Sequence, residues 1–221
     1  MGVSILFVDD GSKDATISVL AEMAQLTDSI AYLQLSRNVG KGNAIREGIL
    51  HAIEHDPHFV GYLDADLATP VDEILRLIEV ARSDSSLEVV MGSRIMRLGS
   101  NIQRKATRHA VGRLYASVAA WALGIRVYDT QCGAKVLKVT PLMKLAFSEP
   151  FGAAWSFDSR LLLRLLKGDN VTAGLKVAAI YEVPLNNWRE VPGSKLRLGS
   201  GLRAFIDLYF IARERRNVRR N

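Results

Sequence analysis

The chain has 221 residues, 48% of them hydrophobic and 24% charged, which suits one large domain with a sizeable core and excludes a disordered polymer. Its single cysteine, Cys132, excludes an internal disulfide and suits a reducing, cytoplasmic compartment, and no apolar run approaches the roughly 20 residues of a membrane span. A formal net charge of +6 calls for an anionic partner, and nucleic acid, an anionic membrane surface or a phosphorylated substrate would each satisfy it.

Residues 3–8 are apolar and predict a strand that stops at Asp9-Asp10-Gly11-Ser12, after which Ile17, Leu20, Met23 and Ala24 fall at helical spacing. Two carboxylates, a glycine that lets the backbone turn and a serine able to cap the helix would make a pocket floor for a base or ribose. Asp-Gly-Ser is equally ordinary turn chemistry. A second unit follows: a strand at residues 32–35, a basic, glycine-bearing loop at residues 36–42, and a helix whose inward stripe is Ile45, Ile49, Ala52 and Ile53. Arg37, Lys41 and the free amides of that helix start could hold phosphate oxygens, or the loop is a turn with solvated charges.

The third unit is the most informative. Residues 59–63 read as a buried strand, and Asp64-Ala65-Asp66 leaves its end just before a helix start marked by Thr69, Pro70 and Asp72. Alternate residues of an extended chain point the same way, so Asp64 and Asp66 can converge on one hard cation, Mg2+ or Mn2+, that completes its shell with a diphosphate. Ile74, Leu75, Leu77 and Ile78 mark the helix that follows, and residues 87–91 the next strand. Strands alternating with helices predict an α/β fold with a mostly parallel sheet.

Gly92-Ser93-Arg94 places an arginine at that strand's end. A long helix follows with basic residues Arg104, Lys105, Arg108, His109 and Arg113 in its first half and an apolar stripe at Val111, Leu114, Tyr115, Val118, Ala119 and Leu123. The stripe is most simply core packing, and a basic half fused to an apolar half also suits contact with a membrane and its phosphate headgroups. Asp129-Thr130-Gln131-Cys132-Gly133 predicts a loop lining a site, with Cys132 a buried thiol. Trp155-Ser156-Phe157-Asp158 opens a helix over residues 161–166, residues 177–185 form a strand, and residues 186–195 read as a mobile loop over a site. The final helix carries Leu202, Phe205, Ile206, Tyr209 and Phe210 on one face and ends in Arg213, Arg215, Arg216, Arg219 and Arg220. The expected organisation is a single domain over residues 1–198, with residues 199–221 an amphipathic basic helix packed on it or on the membrane.

In their order along the chain, Val8-Asp9-Asp10-Gly11-Ser12, Arg37-Asn38-Val39-Gly40-Lys41-Gly42, Asp64-Ala65-Asp66, Gly92-Ser93-Arg94, Asp129-Thr130-Gln131-Cys132-Gly133, Phe157-Asp158 and Val191-Pro192-Gly193-Ser194-Lys195 resemble family 2 glycosyltransferases. Within that family the pattern is similar to the dolichyl-phosphate glucosyltransferase and polyprenyl-phosphate glycosyltransferase branch. The resemblance implies a GT-A fold and an inverting transfer of a hexose from a UDP-sugar to a polyprenyl or dolichyl phosphate, by a protein peripheral on the cytoplasmic membrane face. It implies that Asp9, Asp10, Lys41 and Asp64 bind the nucleotide sugar, that Asp64 and Asp66 hold the metal, and that Arg94, Arg108 and Lys195 hold the acceptor phosphate. Asp66, Asp129 and Lys195 would act in the chemistry itself. Relatives begin with one more strand than the residues here supply, Ala68 stands where mannose synthases often place a metal-binding Gln, and Arg160 stands where relatives commonly carry a Glu. A nucleotide-binding or partner-binding relative without catalysis is therefore the alternative reading. Nucleic-acid binding rests on charge alone.

Overall fold

The computed structural model describes residues 2–152, 156–191 and 198–218. Strand β1 (Ile5–Asp9), helix α1 (Thr16–Leu26), β2 (Ile30–Gln34), α2 (Lys41–Ile53), β3 (Phe59–Leu63), α3 (Val71–Ser83) and β4 (Val89–Ser93) alternate as the apolar periodicity predicts. Next come β5 (Asn101–Gln103), α4 (Ala106–Leu123), β6 (Ala134–Lys138), α5 (Pro141–Ser148), α6 (Phe157–Lys167), a short 3-10 turn at Val177–Ala179, β7 (Ile180–Pro184), β8 (Asn187–Arg189) and α7 (Leu198–Val218).

The central sheet runs in the order β3-β6-β4-β7, and β1-β2 and β5-β8 form two further pairs. The expected parallel pairing holds for β1-β2, β4-β7 and β5-β8, whereas β6 lies antiparallel between β3 and β4. That reversal brings the loop before β6 to the same sheet edge as the carboxyl ends of β3 and β4. Among the described residues no ladder joins β1 to β3, and α2 spans the break. Its Gly48 lies against Val8 of β1, while Ile49 packs into a core with Val60 and Tyr62 of β3.

The three core clusters centre on Phe147, Phe157 and Leu161; on Met91, Leu162 and Leu208; and on Leu77, Val90 and Val136. Helix α7 belongs to the second through Ala204, Leu208, Ile211 and Ala212, packed on α4 and α6. The face its aromatic residues suggested is the outer one: Ile206, Tyr209 and Phe210 are exposed and Phe205 is half-buried against Tyr115. The α4 stripe likewise divides, with Tyr115, Ala119 and Leu123 buried and Val111 and Leu114 exposed. Ser12 does not cap α1; its N–H donates to Asp9, and the start of α1 is held by Asp14, which accepts from Thr16 N and Oγ1. The predicted loop over residues 186–195 is partly the ladder β8, anchored where buried Glu73 accepts from Asn186 N and Asn187 N, both at 2.8 Å.

Candidate active site

The carboxylates leave neighbouring strand ends. Asp9 is buried at the end of β1 and accepts from Ser12 N, so it shapes its own turn. Asp10 reaches the second loop, accepting from Val39 N at 2.6 Å and Gly40 N at 3.0 Å. Gly11, at φ 73°, lies so close to the backbone of Arg37 and Asn38 that a side chain would collide with it. The first two motif loops therefore form one floor, with Asp10 as the tie.

Asp64 follows β3. Its backbone N–H donates to Gly133 O at 2.9 Å, its carboxylate rests on the Gly133 Cα, where any Cβ would overlap it, and Lys41 Nζ lies 2.7 Å from Oδ1 and 2.8 Å from Oδ2. Burial would lower the Lys41 pKa, but the charges of Asp64 and Asp158 outweigh it and raise it. Asp66 is exposed and uses Oδ1 to accept from Ala68 N at 3.0 Å. Among the described residues no group of three or more His, Cys, Asp or Glu side chains converges on a cation. Two carboxylates with hard oxygen donors fit a divalent ion that takes the rest of its shell from a diphosphate and water.

Arg94 and Asp129, separated by 35 residues, meet as a buried bidentate pair: Nε to Oδ2 at 2.6 Å and Nη2 to Oδ1 at 2.8 Å. Burial would raise the Asp129 pKa, but the Arg94 charge and hydrogen bonds prevail and hold the carboxyl at about 2. Glu182 of β7 braces the same loop by accepting from Tyr128 N at 2.7 Å and Asp129 N at 2.8 Å. Trp188 lies under the Arg94 guanidinium, 5.3 Å from Cζ to ring centroid. Arg108 donates to Glu190 Oε1 at 2.8 Å, and Glu190 Oε2 also accepts from Lys105 N at the start of α4. Lys195 lies outside the described residues, as do Trp155 and the Pro192–Ser194 part of its motif.

Behind the carboxylates sits a network that sequence reading missed. Lys135 is fully buried in β6, donates to Cys132 O at 2.8 Å and is ion-paired with Asp158 at the start of α6. Asp158 also accepts from Tyr62 Oη at 2.5 Å. A lysine inside the apolar strand Ala134–Lys138 was the available signal, since a buried cation requires a partner. The network fixes Tyr62, two residues before Asp64, against the loop that carries Gly133. Cys132 lies within this wall, where burial pushes its thiol up to about 11, so it stays protonated and inert at neutral pH.

The site edge thus presents acidic groups on β1 and β3 beside a cavity at the start of α4 lined by Arg94, Arg104, His109, Arg113, Tyr128 and Asp129. The family model described as glycosyl transferase family 2 matches residues 2–144. A dolichyl-phosphate beta-glucosyltransferase of Trichomonas vaginalis is 32% identical over 213 residues, covering 94% of this chain and 61% of that protein. The Saccharomyces cerevisiae dolichyl-phosphate beta-glucosyltransferase is 29% identical over 211 residues, covering 88% of this chain and 59% of its own length. The chain thus spans about three fifths of the length of these curated relatives. Among solved structures, the glucosyl-3-phosphoglycerate synthase of Mycobacterium tuberculosis in complex with Mn2+, UDP and glucosyl-3-phosphoglycerate superposes with a TM-score of 0.63 at 19% identity, over 95% of this chain and 68% of that one. The fold is of the GT-A type that the motifs imply, and the chain belongs to glycosyl transferase family 2.

Proposed function

We propose that this chain is the catalytic portion of an inverting glucosyltransferase that moves glucose from UDP-glucose to the phosphate of a dolichyl or other polyprenyl phosphate. The observation that carries the reading is the meeting of strand-end acidic loops suited to a nucleotide diphosphate with an arginine-lined cavity suited to a second anion. Relatives named dolichyl-phosphate beta-glucosyltransferase, matched along most of the chain, support the choice of sugar and acceptor class.

In this reading Asp9 and Asp10 shape the nucleoside floor, and Asp64 and Asp66 face the diphosphate. Lys41, which neutralises Asp64 here, would turn to a phosphate oxygen when the donor enters. A Mg2+ or Mn2+ ion held by Asp64 and Asp66 would disperse the charge collecting on the departing UDP. The acceptor oxygen attacks the anomeric carbon from the face opposite UDP; the new C–O bond forms as the old one breaks, and UDP carries away the bonding pair. A phosphate monoester is already anionic at neutral pH, so no strong general base is required, and the protein's main task is to bring two anions together in line. Peripheral contact with a lipid surface suits the exposed Val111, Leu114 and Trp121 of α4 and Ile206, Tyr209 and Phe210 of α7. Among the described residues no helix is long and apolar enough to cross a membrane.

The test is transfer of labelled glucose from UDP-glucose to dolichyl phosphate in detergent, with and without Mn2+, beside calorimetric titration with UDP. Metal-dependent formation of glucosyl lipid is the expected result. UDP binding without transfer to any polyprenyl phosphate would instead favour a nucleotide-binding relative.

A further inference from the structure

The arginines that the motif resemblance assigns to the acceptor are already matched. Arg94 is bidentate to Asp129 and Arg108 is bonded to Glu190. Arg113, which lines the same cavity, donates to Tyr128 O at 2.7 Å and stacks on that ring at 3.6 Å. Arg104 differs: among the described residues no carboxylate lies within ion-pair distance of it, although it is half-buried and lines the cavity. Burial, and next the charge of Arg94, push its guanidinium below the ordinary value; an arginine remains a cation even so. This arrangement is electrostatically incomplete, and an anion in the cavity would complete it.

Gly112, which lines the same cavity, supports the same conclusion. It sits inside α4, where glycine costs about 1 kcal/mol relative to alanine. The space its missing side chain leaves is occupied by the Arg104 guanidinium, which any Cβ would overlap. His109, which lines the same cavity, has a buried Nδ1 that finds no hydrogen-bond partner among the described residues. One turn of chain, Gln131 to Gly133, separates this cavity from the Asp64 carboxylate.

We infer that Arg104, laid flat on Gly112, receives the phosphate group of the acceptor, while the Arg94–Asp129 pair and Arg113 form the walls that orient it. The inference rests on the proposal of a phosphorylated acceptor and adds the residue that binds it. A lipid phosphate and free phosphate share the recognised chemistry, so both are used as probes.

Citronellyl phosphate and inorganic phosphate are titrated into the parent chain, R104Q and G112A, with UDP plus Mn2+ as the control ligand. The expected result is citronellyl phosphate binding that weakens about tenfold or more in R104Q, as loss of a charge-assisted contact predicts. G112A should weaken it too, because the added methyl displaces the guanidinium while favouring the helix, and UDP affinity should be unchanged in both. If R104Q binds citronellyl phosphate within about twofold of the parent, Arg104 is overturned and the lipid-phosphate reading stands. If the parent binds inorganic phosphate through Arg104 but neither binds citronellyl phosphate nor glucosylates a lipid, the anion site stands and the lipid acceptor falls. Failure of the parent to bind either probe overturns both.

Discussion

Asp66 is exposed and makes one local hydrogen bond, so its removal should disturb binding far more than folding. Asp66→Ala is expected to abolish Mn2+-dependent UDP binding while moving the thermal midpoint little; equal calorimetric titrations for the variant and parent would remove Asp66 from the donor site. Asp129 is the reverse case, because its loss strands the buried Arg94 charge. Asp129→Ala should cost about 3–5 kcal/mol in urea unfolding at neutral pH, the usual effect of breaking a buried pair. Its carboxyl is held at about 2, below the value 3.8 of a free side chain, so its contribution is present above that free value and is lost as pH falls through about 2. The difference between parent and Asp129→Asn should shrink over that window, and a difference independent of pH would contradict the pairing. The carboxylate motifs were legible because residue type and spacing alone carry their chemistry. Which charges neutralise one another was not, since Arg94 and Asp129 lie 35 residues apart and meet only through the reversal of β6.

At the scale of elements, α2 shows how small residues position chemistry. The Cβ of an alanine at Gly42 would lie 2.7 Å from Cβ of the fully buried Phe157, so the helix start that presents Lys41 is pinned against the start of α6. Alanine's gain in helix propensity, about 1 kcal/mol, opposes an overpacking cost of about 1–3 kcal/mol. Gly42→Ala is therefore expected to lower stability and weaken UDP binding together; a stabilised variant in a thermal melt would mean Phe157 yields freely. Periodicity located α2, α3 and β3 well because each has one plain apolar face. It misassigned the faces of α4 and α7, whose apolar residues encircle the helix, so that period alone cannot tell core from surface. The short strands β5 and β8 carried no period to read.

For the molecule as a whole, charge and exposed apolar residues act together. In the proposed lipid contact, a net charge of +6 would draw the protein toward anionic lipid, and the exposed Val111, Leu114 and Trp121 would offer side chains to the interface. Sedimentation with phosphatidylserine vesicles is expected to be salt-sensitive and to weaken in Leu114→Asp. Binding unaffected by both would place the contact elsewhere. The broken sheet has a further consequence for cooperativity. With no ladder between β1 and β3, the unit of β1, α1 and β2 can open without breaking the central sheet, held instead by the α2 packing and the Lys41–Asp64 contact. A nucleotide diphosphate reaching from Asp10 to Asp64 would straddle that seam, and its binding energy would enter the opening equilibrium of one unit alone. Amides of β1 should then exchange with solvent faster than those of β4 in the free protein and slow selectively when UDP is added, so that the donor closes a fold that its own pocket leaves divided.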